Sequence, residues 1–152
     1  MRLLLDTNVI LDYSFTDRDQ ESFASVMVAS AVENKHVCFV PSCIISDYFY
    51  IANRYFNTLN FDVSTKVRKQ IVWALFDVIS EFVEFVGCDE SDVFAAKKMR
   101  AQNDDMEDNL VITAAKRCGA DYLVTNDKDL LNKQLIPTKT PKQVIDIISK
   151  KK

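Results

Sequence analysis

The sequence predicts an α/β fold, a parallel sheet with helices on both faces. Three observations carry this reading. Short apolar runs alternate with longer helical patterns from one end of the chain to the other. Each short run is continuously apolar, as in strands buried on both sides, and does not alternate with polar residues. Only 2 Gly and 3 Pro in 152 residues leave too few turn formers for an all-β sandwich or barrel. The length suits one domain, placed at residues 1–149, followed by a basic tail at 150–152.

The elements follow in order. Arg2–Leu5 is a buried strand that ends at Asp6-Thr7-Asn8, and Val9-Ile10-Leu11 opens a helix. Asp17 caps a second helix reaching about Asn34, with Phe23, Val26, Met27, Ser30 and Ala31 at helical spacing. Val37–Val40 is the second strand, stopped by Pro41. Ser42 then caps a helix carrying Ile44, Ile45, Tyr48, Phe49, Ile51, Ala52 and Tyr55. A long amphipathic helix runs from about Asp62 to Ile79, with Val67, Ile71, Leu75 and Val78 as its apolar face. Phe82–Val86 is the third strand, closed by Gly87. Asp89 or Ser91 starts a helix to about Ala101. After the acidic break Asn103–Asp105, a helix spans about Met106 to Cys118, with Gly119 at C′. Asp121–Thr125 is the fourth strand, and Asn126-Asp127-Lys128-Asp129 turns into a short helix. Ile136 begins a last short strand, and Thr140-Pro141 starts a terminal helix with Pro at N1.

Composition excludes several classes. An apolar fraction of 48% and 16 aromatic residues exclude disorder. Cys38, Cys43, Cys88 and Cys118 form no C-x-x-C pair and read as free thiols of a cytoplasmic protein. The single His36 cannot build a zinc site of the usual kind and reads as a surface residue. Met1–Leu5 is too short for a signal, and no apolar stretch approaches the ~18 residues of a membrane span. The net charge of −3 argues, taken alone, against a nucleic-acid partner.

The placement of the acids is more informative than their number. Asp6 follows the first strand, and Asp127 and Asp129 follow the fourth. In an open parallel sheet, ligands sit at the carboxyl ends of the strands. Asp105 and Asp108 share one face at the start of a helix, and Asp47 lies one turn into the helix after the second strand. Like charges gathered in one cleft repel unless a cation neutralises them. Carboxylates without His or thiolate favour a hard ion, Mg²⁺ or Mn²⁺, with one or two ions held. Such a site suits hydrolysis of a phosphodiester, since two ions can clamp the attacking and leaving oxygens. Each acid also has an ordinary use. Asp104 or Asp105 can be an N-cap with Glu107 or Asp108 favoured by the helix dipole, Asp127 and Asp129 can be turn residues, and Asp47 a solvated helix position. Asp6 resists that explanation, because a lone carboxylate after Leu3-Leu4-Leu5 is costly.

Three segments carry a family resemblance. Leu3-Leu4-Leu5-Asp6-Thr7-Asn8-Val9-Ile10-Leu11-Asp12 resembles the opening of PIN-domain proteins, the nuclease family that includes the VapC-type toxins. Asp105-Met-Glu-Asp108-Asn-Leu-Val-Ile-Thr-Ala-Ala resembles its third acidic segment, and Leu123-Val124-Thr125-Asn126-Asp127-Lys128-Asp129-Leu130 its fourth. The resemblance spans about Arg2 to Ile148. It implies a three-layer fold with a sheet of about five parallel strands, and divalent-metal-dependent cleavage of RNA. It assigns Asp6, Asp47, Asp108 and Asp127 as catalytic acids, and Asp6, Asp108 and Asp127, with Asp105 and Asp129 beside them, as the metal-binding set. Asn8 and Thr125 are supporting polar groups. Asp47 departs from the Glu usual at that place, and its shorter side chain can turn a direct ligand into a water-mediated one. The resemblance further implies a toxin with an antitoxin partner and a homodimer. The stretch Tyr48-Phe49-Tyr50 with Tyr55-Phe56 is offered as its interface or as an ordinary buried helix face.

Other readings fit less well. An aspartyl-phosphate phosphatase needs an acid where Asn8 stands, a receiver domain needs an acid pair, and a nucleotide cofactor needs a Gly-rich loop. The remaining alternative is a catalytically weak or inactive RNA-binding or scaffold module of the same fold. Setting aside Asp6, Asp47, Asp105, Asp108, Asp127 and Asp129 leaves 16 acids against 19 bases, so the surface outside the cleft is not acidic.

Overall fold

The structure, a computed structural model, describes residues 1–15, 21–58 and 63–150. Five parallel strands form one sheet: β1 (Arg2–Leu5), β2 (Val37–Pro41), β3 (Val83–Val86), β4 (Tyr122–Val124) and β5 (Thr138–Lys139). Their order is β3-β2-β1-β4-β5, so the two-residue β5 closes one edge and β3 the other. In the central strand Leu4 stands between Phe39 and Leu123. Leu3, Leu4, Leu5, Val40, Leu123 and Val124 are fully buried, as a sheet covered on both faces requires.

The crossovers proceed from β1 to β2 to β3, then return to the far side of β1. Right-handed connections therefore place the first helices on one face and the later ones on the other. The helices are α1 (Thr7–Ser14), α2 (Glu21–Glu33), α3 (Ile45–Thr58) and α4 (Thr65–Ser80), then α5 (Glu90–Lys98), α6 (Met106–Arg117), α7 (Lys128–Lys133) and α8 (Pro141–Ser149). The pairs α1–α2, α1–α3 and α3–α4 pack together, α8 joins them on α2, and α5 packs on α6. The direction of travel reverses between β1 and β4, and that switch point is where open α/β sheets bind ligands.

Most helix ends follow their sequence signals. Thr140 and Gln143 form a reciprocal capping box at α8, with Pro141 at N1. Asp89 and Asp92 do the same at α5. Arg117, in the last turn of α6, reaches the Gly87 carbonyl at 3.0 Å and the carboxylates of Asp89 and Asp92, tying α6 to that start. Gly119 takes φ +60 just past α6, a conformation that a side chain would strain.

Four expectations need correction or limitation. Ser42 caps nothing: a 3-10 turn, Ser42–Ile44, intervenes before α3, and Pro41 precedes it without a side-chain cap. The buried stripe of α4 is Val72 and Ile79, with Leu75 and Phe76 beside it, whereas Val67 and Val78 are exposed. Of the four positions read from the sequence, Ile71 and Leu75 are half-buried, and Val67 and Val78 do not belong to the core face. Strand β3 is an edge, so only Val86 is buried and Phe85 stands in solvent. The expected cap Asp17 lies outside the described residues, as does Asp62; α4 begins instead behind Ser64, which accepts from the Val67 amide.

The packing makes a direct forecast. Leu4→Ala empties a fully buried site in the central strand and costs about 2–5 kcal/mol, read by urea unfolding. A loss below about 1 kcal/mol would show that β1 is not the centre of the core.

Candidate active site

The site begins with Asp6, the residue that leaves β1 and caps α1. It is only 7% exposed. Its carboxylate accepts from the Thr7 amide at 2.7 Å, from Asn8 Nδ2 at 2.7 Å and from Thr125 Oγ1 at 2.7 Å. Asn8 Nδ2 also reaches Thr125 Oγ1 at 2.9 Å, and Asn8 Oδ1 accepts the Asn126 amide at 2.9 Å. The Asp127 amide in turn donates to Thr125 Oγ1 at 2.9 Å. Asn8 and Thr125 thus stitch the ends of β1 and β4 together and bring Asp127 beside Asp6. Behind them Asn126 Nδ2 donates to the buried Asp12 at 2.8 Å.

The third acidic segment approaches from α6. Asp105 is its N-cap and accepts from the Asp108 amide at 3.1 Å. Asp108 accepts from Asn103 Nδ2 at 3.2 Å, and Lys133 Nζ stands 3.9 Å away. Lys133 also donates to Asn103 Oδ1 at 2.6 Å, so α7 and the turn before α6 are joined across the cleft. Asp127 caps α7, accepting from the amides of Asp129 at 2.7 Å and Leu130 at 3.3 Å. Asp129 itself is exposed in the first turn of α7. Three of the expected acids, Asp6, Asp105 and Asp127, therefore serve as helix N-caps while also facing the cleft, where helix dipoles favour negative charge.

The electrostatics tie these groups together. Burial pushes the Asp6 carboxyl up; Thr125 and the Thr7 amide pull it down, and Asp108 and Asp127 push it up again. Burial likewise raises Asp108, Asn103 lowers it, Asp105 and Asp127 raise it, and Lys133 lowers it. Glu107 is raised by partial desolvation and then by Asp47, Asp6, Asp105 and Asp108. Asp47, half-buried in the first turn of α3, is near enough for its charge to act on Glu107.

Sequence reasoning treated Glu107 as an acid suited to a helix start and did not consider Asn103 and Lys133. The repeated acids at positions 104, 105, 107 and 108 were a signal for Glu107. Nothing local marked Asn103 or Lys133, because their contact spans 30 residues. Cys43 also lies near enough to feel Glu107 and Asp47. Burial pushes its thiol up to about 11, so it is neutral at pH 7.

The donor chemistry fits a hard divalent cation, since it offers carboxylate oxygens and no imidazole or thiolate. Two oxygens buried without a hydrogen-bond partner, Thr7 Oγ1 and Asn109 Oδ1, belong to the residues next to Asp6 and Asp108. Among the described residues, no three acidic, His or Cys side chains stand close enough to form a ready-made cage. The cleft thus holds mutually repelling carboxylates kept apart by their caps and hydrogen bonds, a state that a cation relieves.

The chain matches the family model of the PIN domain over residues 2–129. No curated protein matches it in sequence. Several solved structures share its fold. VapBC2 from Rickettsia felis, bound to a DNA fragment from its promoter, is 14% identical, with 92% of this chain and 98% of that one covered at a TM-score of 0.67. VapC20 of Mycobacterium tuberculosis, described as a sarcin-ricin loop cleaving toxin, is 12% identical, with 88% and 96% covered at a TM-score of 0.68. VapBC-1 from nontypeable Haemophilus influenzae is 15% identical, with 93% and 99% covered at a TM-score of 0.63.

The raised Asp108 carboxyl is a stability statement. A carboxyl held above its unfolded value of about 3.9 destabilises the fold while charged, and the penalty fades as pH falls through the raised value. Asp108→Asn therefore leaves the metal-free protein equally stable or up to about 3 °C more stable at pH 7, and the gap to wild type closes on acidification. Thermal unfolding in EDTA from pH 8 down through about pH 3.9 checks this. A clear loss of stability in the variant would make Asp108 a structural group.

Proposed function

The chain belongs to the PIN-domain family, and from that premise we propose that it is a divalent-metal-dependent ribonuclease, the toxin of a type II toxin–antitoxin pair. The observation that carries the reading is Asp6: a buried carboxylate at the switch point of the sheet, held open by Asn8 and Thr125, with Asp108 and Asp127 repelling it. The neighbour described as a sarcin-ricin loop cleaving toxin supports RNA as the substrate. The VapBC assemblies support an antitoxin partner. A homodimer belongs to the same reading.

Asp6, Asp108 and Asp127 would hold the ion, with Asp105 and Asp129 beside them and Asp47 reaching it through water. A bound Mg²⁺ or Mn²⁺ would supply an activated water and balance the charge that builds on the phosphate and leaving-group oxygens during in-line displacement. The chain's own groups do the positioning. Asn8 and Thr125 fix the Asp6 carboxylate, so its oxygens are aimed before any ligand arrives. Asn103 and Lys133 steady Asp108 from the opposite wall, and the N-terminus of α6 offsets part of its charge.

The reading is tested with purified protein and a broad panel of structured RNAs. Mn²⁺ supports cleavage, EDTA stops it, and Asp6→Asn lowers the rate by at least about 100-fold. Thr125→Ala, which leaves every carboxylate in place but frees Asp6 to rotate, lowers it by about 10–100-fold. A wild-type protein that binds RNA yet leaves the whole panel intact with Mn²⁺ would be a binding module of the same fold instead.

A further inference from the structure

Helix α3 leads away from the acid cleft. The Ser42–Ile44 turn that leads into α3 packs on α6, and Asp47, in the first turn of α3, is near enough for its charge to act on Glu107. Tyr50, Arg54 and Asn57 follow at spacings of three, four and three, which keeps all four on one face of the helix. Tyr50 is 65% exposed, an unusual position for a large aromatic ring, and Arg54 and Asn57 are exposed as well. Tyr50, Arg54 and Asn57, with Phe49 and Asn53, line a shallow pocket of about 450 Å³. At the far end, Arg68 of α4 donates to Asn57 and to Thr65 Oγ1, so a second guanidinium is held where the stripe ends.

The sequence offered Tyr48-Phe49-Tyr50 and Tyr55-Phe56 as a dimer interface or as an ordinary buried helix face. The structure divides that set. Tyr48 is fully buried, and Tyr55 and Phe56 pack on Phe15 inside the molecule. Tyr50 is left outside, with cations along the same stripe. An exposed ring beside guanidinium groups is the composition of a single-strand nucleic-acid path, where rings stack bases and cations track phosphates. The charge is complementary to phosphate, and the stripe is continuous with the carboxylates that would cut it. Along the helix axis Asp47 and Asn57 are about 15 Å apart, a length that accommodates roughly four stacked nucleotides at 3.4 Å each.

We propose that the Tyr50–Arg54–Asn57 stripe of α3, ending at Arg68, is the path by which single-stranded RNA enters the acid cleft. Tyr50 stacks a base, and Arg54 and Arg68 hold phosphates. The inference rests on the nuclease reading and names the surface that presents the substrate.

A fluorescent 12-nucleotide single-stranded RNA of mixed sequence, titrated in EDTA, measures binding without cleavage. Tyr50→Ala and Arg54→Ala each weaken binding at least about fivefold. Arg54→Ala also flattens the dependence of log affinity on log salt by about 0.7, the signature of one lost phosphate contact. Tyr50→Ala leaves that slope unchanged, and Tyr50→Phe restores binding because it keeps the ring. Lys98→Ala on α5 changes neither. With Mn²⁺ present, both alanine variants raise KM more than they lower kcat.

Alanine variants that bind as wild type while wild type still cleaves would overturn the path and leave the nuclease standing. Binding through these residues with no cleavage would keep the path and overturn the nuclease. A wild type that fails to bind the RNA at micromolar concentrations overturns the path. So does a sedimentation experiment in which the variants fall to a lower mass, since the face would then join two copies of the chain.

Discussion

Everything in this molecule is arranged around one costly placement, a carboxylate at the buried carboxyl end of the central strand. An unpaired charge there would destabilise the fold by several kcal/mol. The chain meets this cost locally. The Thr7 amide, Asn8 and Thr125 all donate to Asp6, and its position at the start of α1 adds the favourable end of a helix dipole. Because Asn8 and Thr125 come from different strand ends, the same bonds that tolerate the charge also lock β1 to β4. The support of the acid and the closure of the sheet's switch point are one network.

The second constraint is repulsion. Asp108 and Asp127 face Asp6 from helices that start at the cleft, and Glu107 and Asp47 extend the negative field toward α3. Helix N-termini and Lys133 hold these groups in place without cancelling them. Caps and hydrogen bonds hold these like charges in one cleft, Thr7 Oγ1 and Asn109 Oδ1 are buried without partners beside Asp6 and Asp108, and a cation would relieve the repulsion. The net charge of −3 is thus a poor guide to partners, because Asp6, Asp47, Asp105, Asp108, Asp127 and Asp129 account for six of the 22 acids, and the remaining 16 are outnumbered by 19 bases.

Much of this was legible in the sequence where the signal is local. The continuous apolar run Leu3-Leu4-Leu5 marked the central strand, Thr140-Pro141 marked α8, and Gly119 marked the end of α6. The acids at strand ends announced the cleft, because topology rather than side-chain contact places them there. What failed depended on partners distant in the chain. The buried face of α4 is set by what α3 and the edge of the sheet present to it, and its periodicity alone admitted a neighbouring phase. The 3-10 turn after Pro41 moves the start of α3 from Ser42 to Ile45. Lys133 and Asn103 meet only because α7 folds over the entrance of α6, and no spacing in the sequence records that.

If the strand-end and helix-start acids form one divalent-metal site, sub-stoichiometric Mn²⁺ broadens the backbone amide signals of residues 6–8, 105–109 and 125–128 first and together, and excess Mg²⁺ restores them. Broadening centred on the Asp89–Asp92 turn, spread evenly over surface acids, or absent from the strand ends would contradict it.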